Sequence, residues 1–266
     1  MFYYKAVKHL RTENTSPALD IGILAHECLA AHYATGGVRT WEPIQAIEQE
    51  LPEVANEVKR LLYAYFATYL KEDAETWDIR TVEQEIVGEV EHAGNKAQVY
   101  SRSDLLIRKK QPGEPSLPFG PCPDGVYIVD HKVMARMSKD LTDGYRMDGQ
   151  FLLMAYLWHQ QKLDAVFGPL KGFIINIITK TKEVGLKRLT VNVAQEDIDR
   201  FIATMGPEII EMHQKLIQER AEPNMENWKM NFSACKNPKG YGICEFFDLC
   251  ASHGKLEQLY TINPKK

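Results

Sequence analysis

The sequence predicts an α/β fold, a β-sheet with helices packed on it, and three stretches carry the prediction. Val126 to Lys132 is an apolar, branched run that reads as a strand and ends on charged residues. Lys171-Gly-Phe-Ile-Ile-Asn-Ile-Ile-Thr179 is apolar throughout, as expected of a central strand covered on both faces. Between them, Leu141 to Lys162 has the spacing of an amphipathic helix, long enough to cross from one strand to the next.

The other elements follow in chain order. Phe2 to Leu10 reads as a short amphipathic helix. Pro17 to Tyr33 reads as a second, with Ser16 as its cap and Pro17 in its first turn. Trp41 to Lys71 reads as one or two helices broken near Pro52, and its aromatic stretch Leu61 to Leu70 falls at core spacing. Strands are expected at Val82 to Val90 and Gln98 to Ile107. Between the latter and Val126, the excursion Gln111 to Asp124 carries Pro112, Pro115, Pro118, Pro121 and Pro123, which no regular strand accepts. It reads as a loop near a substrate channel or as a variable surface turn. Leu186 to Val193 can pair beside the central strand, and a helix from Gln195 to Glu219 follows, kinked or split at Gly206-Pro207.

With 266 residues, 44% hydrophobic and 26% charged, the chain can bury one sizeable core with appendages. No run approaches a membrane span, and no phosphate-binding Gly-x-x-x-x-Gly-Lys-Ser/Thr occurs, so any unwinding of nucleic acid must come from a partner. The net charge of −4 does not announce a nucleic-acid binder. Local basic clusters exist at Arg108-Lys109-Lys110, at Arg136 with Lys139 and Arg146, and at Lys180, Lys182, Lys187 and Arg188. Each suits a phosphate or a solvated strand end. Five cysteines without a secretory segment point to a reducing compartment, hence a cytoplasmic protein.

Chemistry concentrates at Asp130-His131-Lys132. Side chains alternate along a strand, so Asp130 and Lys132 share a face and His131 takes the other. A carboxylate beside an ammonium suits a divalent cation, with the lysine orienting or deprotonating a water and offsetting charge on a phosphate. Asp104, set just before Leu105-Leu106-Ile107, would add a second carboxylate from a neighbouring strand. Gly22 and His26 lie one turn apart on a helix face, which leaves room beside the imidazole.

In this order, Gly22-x-x-x-His26, Arg102-Ser103-Asp104, Asp130-x-Lys132 and Gln150 resemble the RecB-like branch of the PD-(D/E)XK nucleases, with its RecB and AddB domains, CRISPR adaptation nucleases and phage exonucleases. The resemblance runs from Gly22 to Cys250 and implies a restriction-endonuclease-like core, a central mixed sheet flanked by helices. It would make residues 1–266 one nuclease domain: a helical region over 1–75 carrying His26, a catalytic core over 80–192, and a C-terminal helix and Cys segment over 193–266. It implies His26, Asp104, Asp130 and the His131 carbonyl as ligands of Mg2+ or Mn2+, Lys132 handling the water, and Gln150 holding the lysine, the water or a phosphate oxygen. Glu85 takes the place of the family's strand glutamate, and Arg102, Arg136 and Arg146 are the expected nucleic-acid contacts. Ser101 and Met154 depart from the family pattern, which has glycine and tyrosine there.

The family often carries an iron–sulfur cluster on one N-terminal and three C-terminal cysteines. Cys235, Cys244 and Cys250 resemble the trio, while the fourth ligand is missing and would have preceded Phe2-Tyr3-Tyr4-Lys5, so Met1 reads as a truncation point. Iron, zinc with a non-cysteine ligand, and three buried hydrophobes remain open for the trio. The activity implied is DNA exonuclease action on single strands or ends in recombination, repair, phage replication or CRISPR adaptation, alongside a helicase or recombination partner. The alternatives are a silent nucleic-acid-binding scaffold, an endonuclease or nickase on the same core, and a plain metal module.

Overall fold

The structure, a computed structural model, describes residues 10–12, 17–117, 119–137, 141–222 and 260–262. Residues 17–208 form one compact unit, and residues 1–16 with 209–266 form another. Of the second unit's described residues, β1 (Leu10–Thr12) and the C-terminal strand Tyr260–Ile262 pair antiparallel, with Arg11 opposite Thr261. Leu10, expected to close a helix, therefore starts a strand; the remainder of that expected helix, and Cys235, Cys244 and Cys250, lie outside the described residues.

In the first unit, α1 (Pro17–Thr35), α2 (Glu42–Ile47) and α3 (Pro52–Thr76) match the expected helices, and the break falls at Pro52, which opens α3. The chain then enters β2 (Trp77–Val82), a strand the periodicity did not reveal. Next, β3 (Glu85–His92) and β4 (Asn95–Arg102) form a separate two-stranded hairpin. Its loop is Ala93-Gly94, both at positive φ (50° and 77°), the backbone that a two-residue hairpin turn needs and that glycine adopts without strain.

The expected strand Gln98 to Ile107 is thus two strands, for β5 (Leu105–Lys109) belongs to the main sheet. The chain changes sheets at Ser103-Asp104, where Ser103 N–H donates to Gln84 O (3.0 Å) and Glu83 N–H to Asp104 O (2.8 Å). The main sheet is completed by β6 (Val126–Met134), β7 (Leu170–Thr179) and β8 (Leu186–Val191). Its order is β2-β5-β6-β7-β8, with β6 and β7 parallel and every other pair antiparallel, so the sheet is mixed. The β6 to β7 crossover holds α4 (Leu141–Arg146), α5 (Gly149–Gln160) and α6 (Asp164–Phe167). The single helix expected over 141–162 is split because Asp148, in extended conformation, caps a new helix by accepting from Gln150 N–H. α7 (Gln195–Ala221) passes through Pro207 without a split.

Alternation along the strands sorts the core. Ile128, Phe173 and Ile175 face α5, packing on Phe151, Leu152 and Trp158. On the other face, Ile178 meets Leu29, Val58, Leu61 and Leu62 of α1 and α3. Each such side chain contributes about 1.5–3 kcal/mol by leaving water. The β3–β4 hairpin rests on α5: Gln160 accepts from Glu89 N–H (2.8 Å) and donates to Glu89 O (2.6 Å), and Tyr156 Oη donates to the same carbonyl (3.1 Å). Close approach requires glycine at Gly88, where a Cβ would collide with Gln160 and Leu157. Among the described residues no helix is long and apolar enough to cross a membrane.

The proline-rich excursion is pinned to the protein surface. Arg80 donates to Leu117 O and Gly120 O (both 2.7 Å), and Asp78 accepts from Leu117 N–H (3.1 Å). Arg108, read as part of a basic cluster, is buried and bound to Glu114 (2.6 Å), so it offers no charge to a phosphate. Arg188 is half-buried and bound to buried Asp73 (2.7 Å). A guanidinium in contact with a carboxylate is already neutralised, which sequence clustering does not reveal.

Candidate active site

Four segments bring side chains to one place at the sheet's edge. Asp104 sits in the turn that opens β5, and antiparallel pairing of Leu105 with Val129 sets it beside Asp130 on β6. Its Oδ2 accepts from the His131 main-chain N–H (2.7 Å), which fixes the carboxylate against the neighbouring strand. His26, on α1, points its Nδ1 at both Asp104 oxygens (3.3 Å each). Among the described residues a Cβ at Gly22 would meet nothing within 4 Å, so the space expected beside the imidazole is present there.

Asp130 and Lys132 share a face of β6, with Lys132 Nζ 3.1 and 2.9 Å from the two carboxylate oxygens of Asp130. Gln150, second residue of α5, closes a triangle: its Nε2 donates to Asp130 Oδ1 (3.0 Å) and its Oε1 accepts from Lys132 Nζ (3.1 Å). Asp130 Oδ2 is buried and, among the described residues, has no hydrogen bond. The ammonium 2.9 Å away lies at an angle that makes a charge pair only, so this oxygen keeps a lone pair available for a cation.

The electrostatics follow from burial and neighbours. Burial pushes Asp130 up, and the Asp104 charge adds to that, against the pull of Lys132. Burial would raise Asp104 too, but the hydrogen bond and charge of His26, then His131, hold it down at about 2. For His26 burial alone would lower the pKa, and Asp104 and then Asp130 outweigh it, so the net shift is upward. His131, fully enclosed on the opposite face, is pushed down to about 3 by burial. Two acids with shifts of opposite sign at one place are a functional-site signature.

His26, Asp104, Asp130, His131, Lys132 and Gln150 are therefore together. Glu85 is not: it is exposed at the start of β3 opposite Arg102, and among the described residues no hydrogen bond or ion pair links either to the cluster. Arg102 lies 3.9 Å from Glu83, Arg136 is exposed just past β6, and Arg146 lies 3.6 Å from Asp197. Sequence reading missed Tyr145, buried near enough to Asp130 that burial and that charge lift its pKa to about 12. It also missed Asn176 and took Arg188 for part of a basic cluster; both lie behind His131. An asparagine inside an otherwise apolar central strand was the available signal.

Among the described residues, no three His, Cys, Asp or Glu side chains stand arranged as a ready metal cage. The donor set nonetheless fits a hard or borderline cation: two carboxylates, one with an orphaned buried oxygen, and an imidazole. His26 pairs with Asp104, and Asp130 with Lys132.

A family model described as the PD-(D/E)XK nuclease superfamily matches residues 1–251. No curated protein matches the chain. Among solved structures, a protein of Eubacterium rectale provisionally named an exonuclease aligns at 16% identity over 86% of this chain and 82% of its own, with a TM-score of 0.41. The protein SSO0001 aligns at 15% identity over 77% of this chain and 81% of its own, with a TM-score of 0.32.

Proposed function

The chain belongs to the PD-(D/E)XK nuclease superfamily, whose model spans residues 1–251, and on that premise we propose that it is a divalent-metal-dependent DNA exonuclease of the RecB-like branch. A nuclease acts on nucleic acid, and members of this superfamily generally use divalent ions such as Mg2+. The observation that carries the finer reading is the meeting of Asp104 and Asp130 at adjacent strand ends, with His26 on one side and the Lys132–Gln150 pair on the other. His26, Asp104 and Asp130, with the His131 carbonyl, would hold Mg2+ or Mn2+. When bound, the ion polarises a phosphate oxygen and lowers the pKa of water. Lys132 orients the attacking water and offsets charge on the phosphate. Gln150 fixes the ammonium. Glu85 stays outside this set.

A single-stranded substrate is favoured by an aromatic groove of 730 Å³ whose walls include Tyr33, Trp41, Tyr63, Phe66 and Trp77. Tyr33 lies seven residues after His26 on α1, the same face roughly 10 Å along the axis. Unpaired bases stack on exposed rings such as Tyr63 at about 1–3 kcal/mol each, while Tyr33 and Trp77, packed on His131 and under Arg188, line the groove floor. Residues 1–266 act as one nuclease domain in the cytoplasm, serving recombination, repair, phage replication or CRISPR adaptation beside a helicase. Cys235, Cys244 and Cys250 are candidate ligands for an iron–sulfur cluster or for zinc.

End-labelled single-stranded DNA with Mn2+ tests the reading. The parent should degrade it, and Asp130→Ala and Lys132→Ala should not. Robust activity unaffected by either substitution would overturn the site. Cutting of closed circular single strands would make the protein an endonuclease. Visible absorbance after anaerobic purification, with metal analysis, decides between iron and zinc.

A further inference from the structure

We infer that Asn176 and Arg188 are positioning residues for the active site, acting through the His131 ring to hold the main-chain N–H that fixes Asp104; this rests on the metal-dependent reading above. A chain of polar side chains lies behind β6. Arg188, on β8, lies between the rings of Tyr69 and Trp77 (4.1 and 4.3 Å to the centroids) and forks onto Asp73 (2.7 and 3.2 Å). Its Nε donates to Asn176 Oδ1 (2.7 Å). Asn176 Nδ2 faces Tyr65 Oη (3.0 Å) and His131 Nδ1 (3.3 Å).

These partners decide every proton. A guanidinium only donates, so the Asn176 atom beside it is the oxygen and the amide NH2 must point at Tyr65 and His131. His131 Nδ1 is then an acceptor, and the ring is the neutral tautomer with its proton on Nε2. Tyr65 donates to Tyr33 (2.9 Å), and Tyr33 donates to Asp73 (2.7 Å), which closes the network with no conflicting donor. Nε2, which then carries the proton, has no hydrogen-bond partner among the described residues. Tyr33 stacks on the ring (6.0 Å between centroids) and Tyr65 meets it edge-on (5.9 Å), so its rotation is blocked.

The same residue's main chain carries the consequence. His131 N–H holds Asp104 Oδ2 at 2.7 Å, and Asp104 is the carboxylate that His26 engages. A ring clamped by Asn176, Tyr33 and Tyr65 fixes the position of that N–H along β6. His131 thus serves the site through its backbone, while its ring is a buttress set by Arg188. Groups that hold ligands of a metal in this way typically change its affinity 10–100-fold when altered.

The test uses the full chain. In metal-free protein, 15N spectra of the histidine rings should show His131 with bare Nδ1 and protonated Nε2; a protonated Nδ1 would overturn the inference without any variant. Asn176→Asp puts an acceptor where the amide NH2 was and should reverse the tautomer. It should also weaken Mn2+ binding about 10-fold, read by the electron paramagnetic resonance of free Mn2+. The added negative charge alone would tighten Mn2+, so weakening separates positioning from field. Unchanged or tighter binding in a folded Asn176→Asp protein would overturn the inference. If instead Asp130→Ala leaves Mn2+ binding intact, the metal site itself is wrong. The two failures are distinct.

Discussion

Lys132→Met should separate the electrostatic and the chemical duties of the lysine. Asp130 is 7% exposed and Lys132 28%, with the ammonium 2.9 Å from the oxygen that has no hydrogen bond. Removing the lysine strands a buried carboxylate that already feels Asp104, leaving only the Gln150 amide at 3.0 Å. Breaking a fully buried pair costs about 3–5 kcal/mol and a solvent-exposed one about 0–1. The partial exposure of Lys132 puts this loss at about 2 kcal/mol in EDTA, measured by urea unfolding. Asp130→Asn keeps an acceptor for Gln150 and relieves repulsion from Asp104, so it should cost less. The double variant should recover about 1 kcal/mol relative to the sum of the singles. Adding Mn2+ should restore the stability of Lys132→Met by replacing the lost positive charge. Its cleavage of end-labelled single-stranded DNA should stay about 10²–10⁴-fold down. Parent-like stability in EDTA together with cleavage within about threefold of the parent would refute the reasoning.

The His26–Asp104 pair gives a pH prediction. Asp104 is held below its ordinary 3.8, so its contribution is present above that pH and is lost as pH falls toward about 2. The His26 pKa is raised above 6.5, so its contribution is complete below 6.5 and is lost as pH rises through the raised value. Both describe one pair, worth about 1 kcal/mol after allowing for its exposure. Urea midpoints in EDTA should peak between these limits, and His26→Gln should flatten both flanks. Gln150→Ala should lower turnover about 10–100-fold while leaving the fold intact, with circular dichroism as the control. Gly88→Ala should destabilise by about 1–3 kcal/mol in thermal unfolding, since its methyl would collide with Gln160 and Leu157. Cys244→Ser should reduce soluble yield more than it reduces the rate per soluble molecule.

The local pattern was enough for α1, β6, β7 and β8, because apolar periodicity and a Ser-Pro start are properties of neighbouring residues. It was enough, too, for Asp130 and Lys132 to share a face, since alternation is intrinsic to a strand. The break at Asp104 was not legible. Strand-compatible residues lie on both sides of it, yet β4 pairs with β3 and docks on α5 while β5 joins the main sheet. Nor could spacing tell which arginines are free. Arg108 and Arg188 are paired with carboxylates at Glu114 and Asp73, the latter 115 positions away in the chain.

The sequence by itself determined the fold class and the order of the chemical groups, because periodicity and motif are read along the chain. Tertiary structure alone decided that His26 reaches Asp104 across 78 positions and that Glu85 stands apart. It also decided that an arginine on β8 governs the histidine behind the acids. The physical reason is that hydrogen bonds and charge pairing act over a few ångströms of space, whatever the distance along the chain.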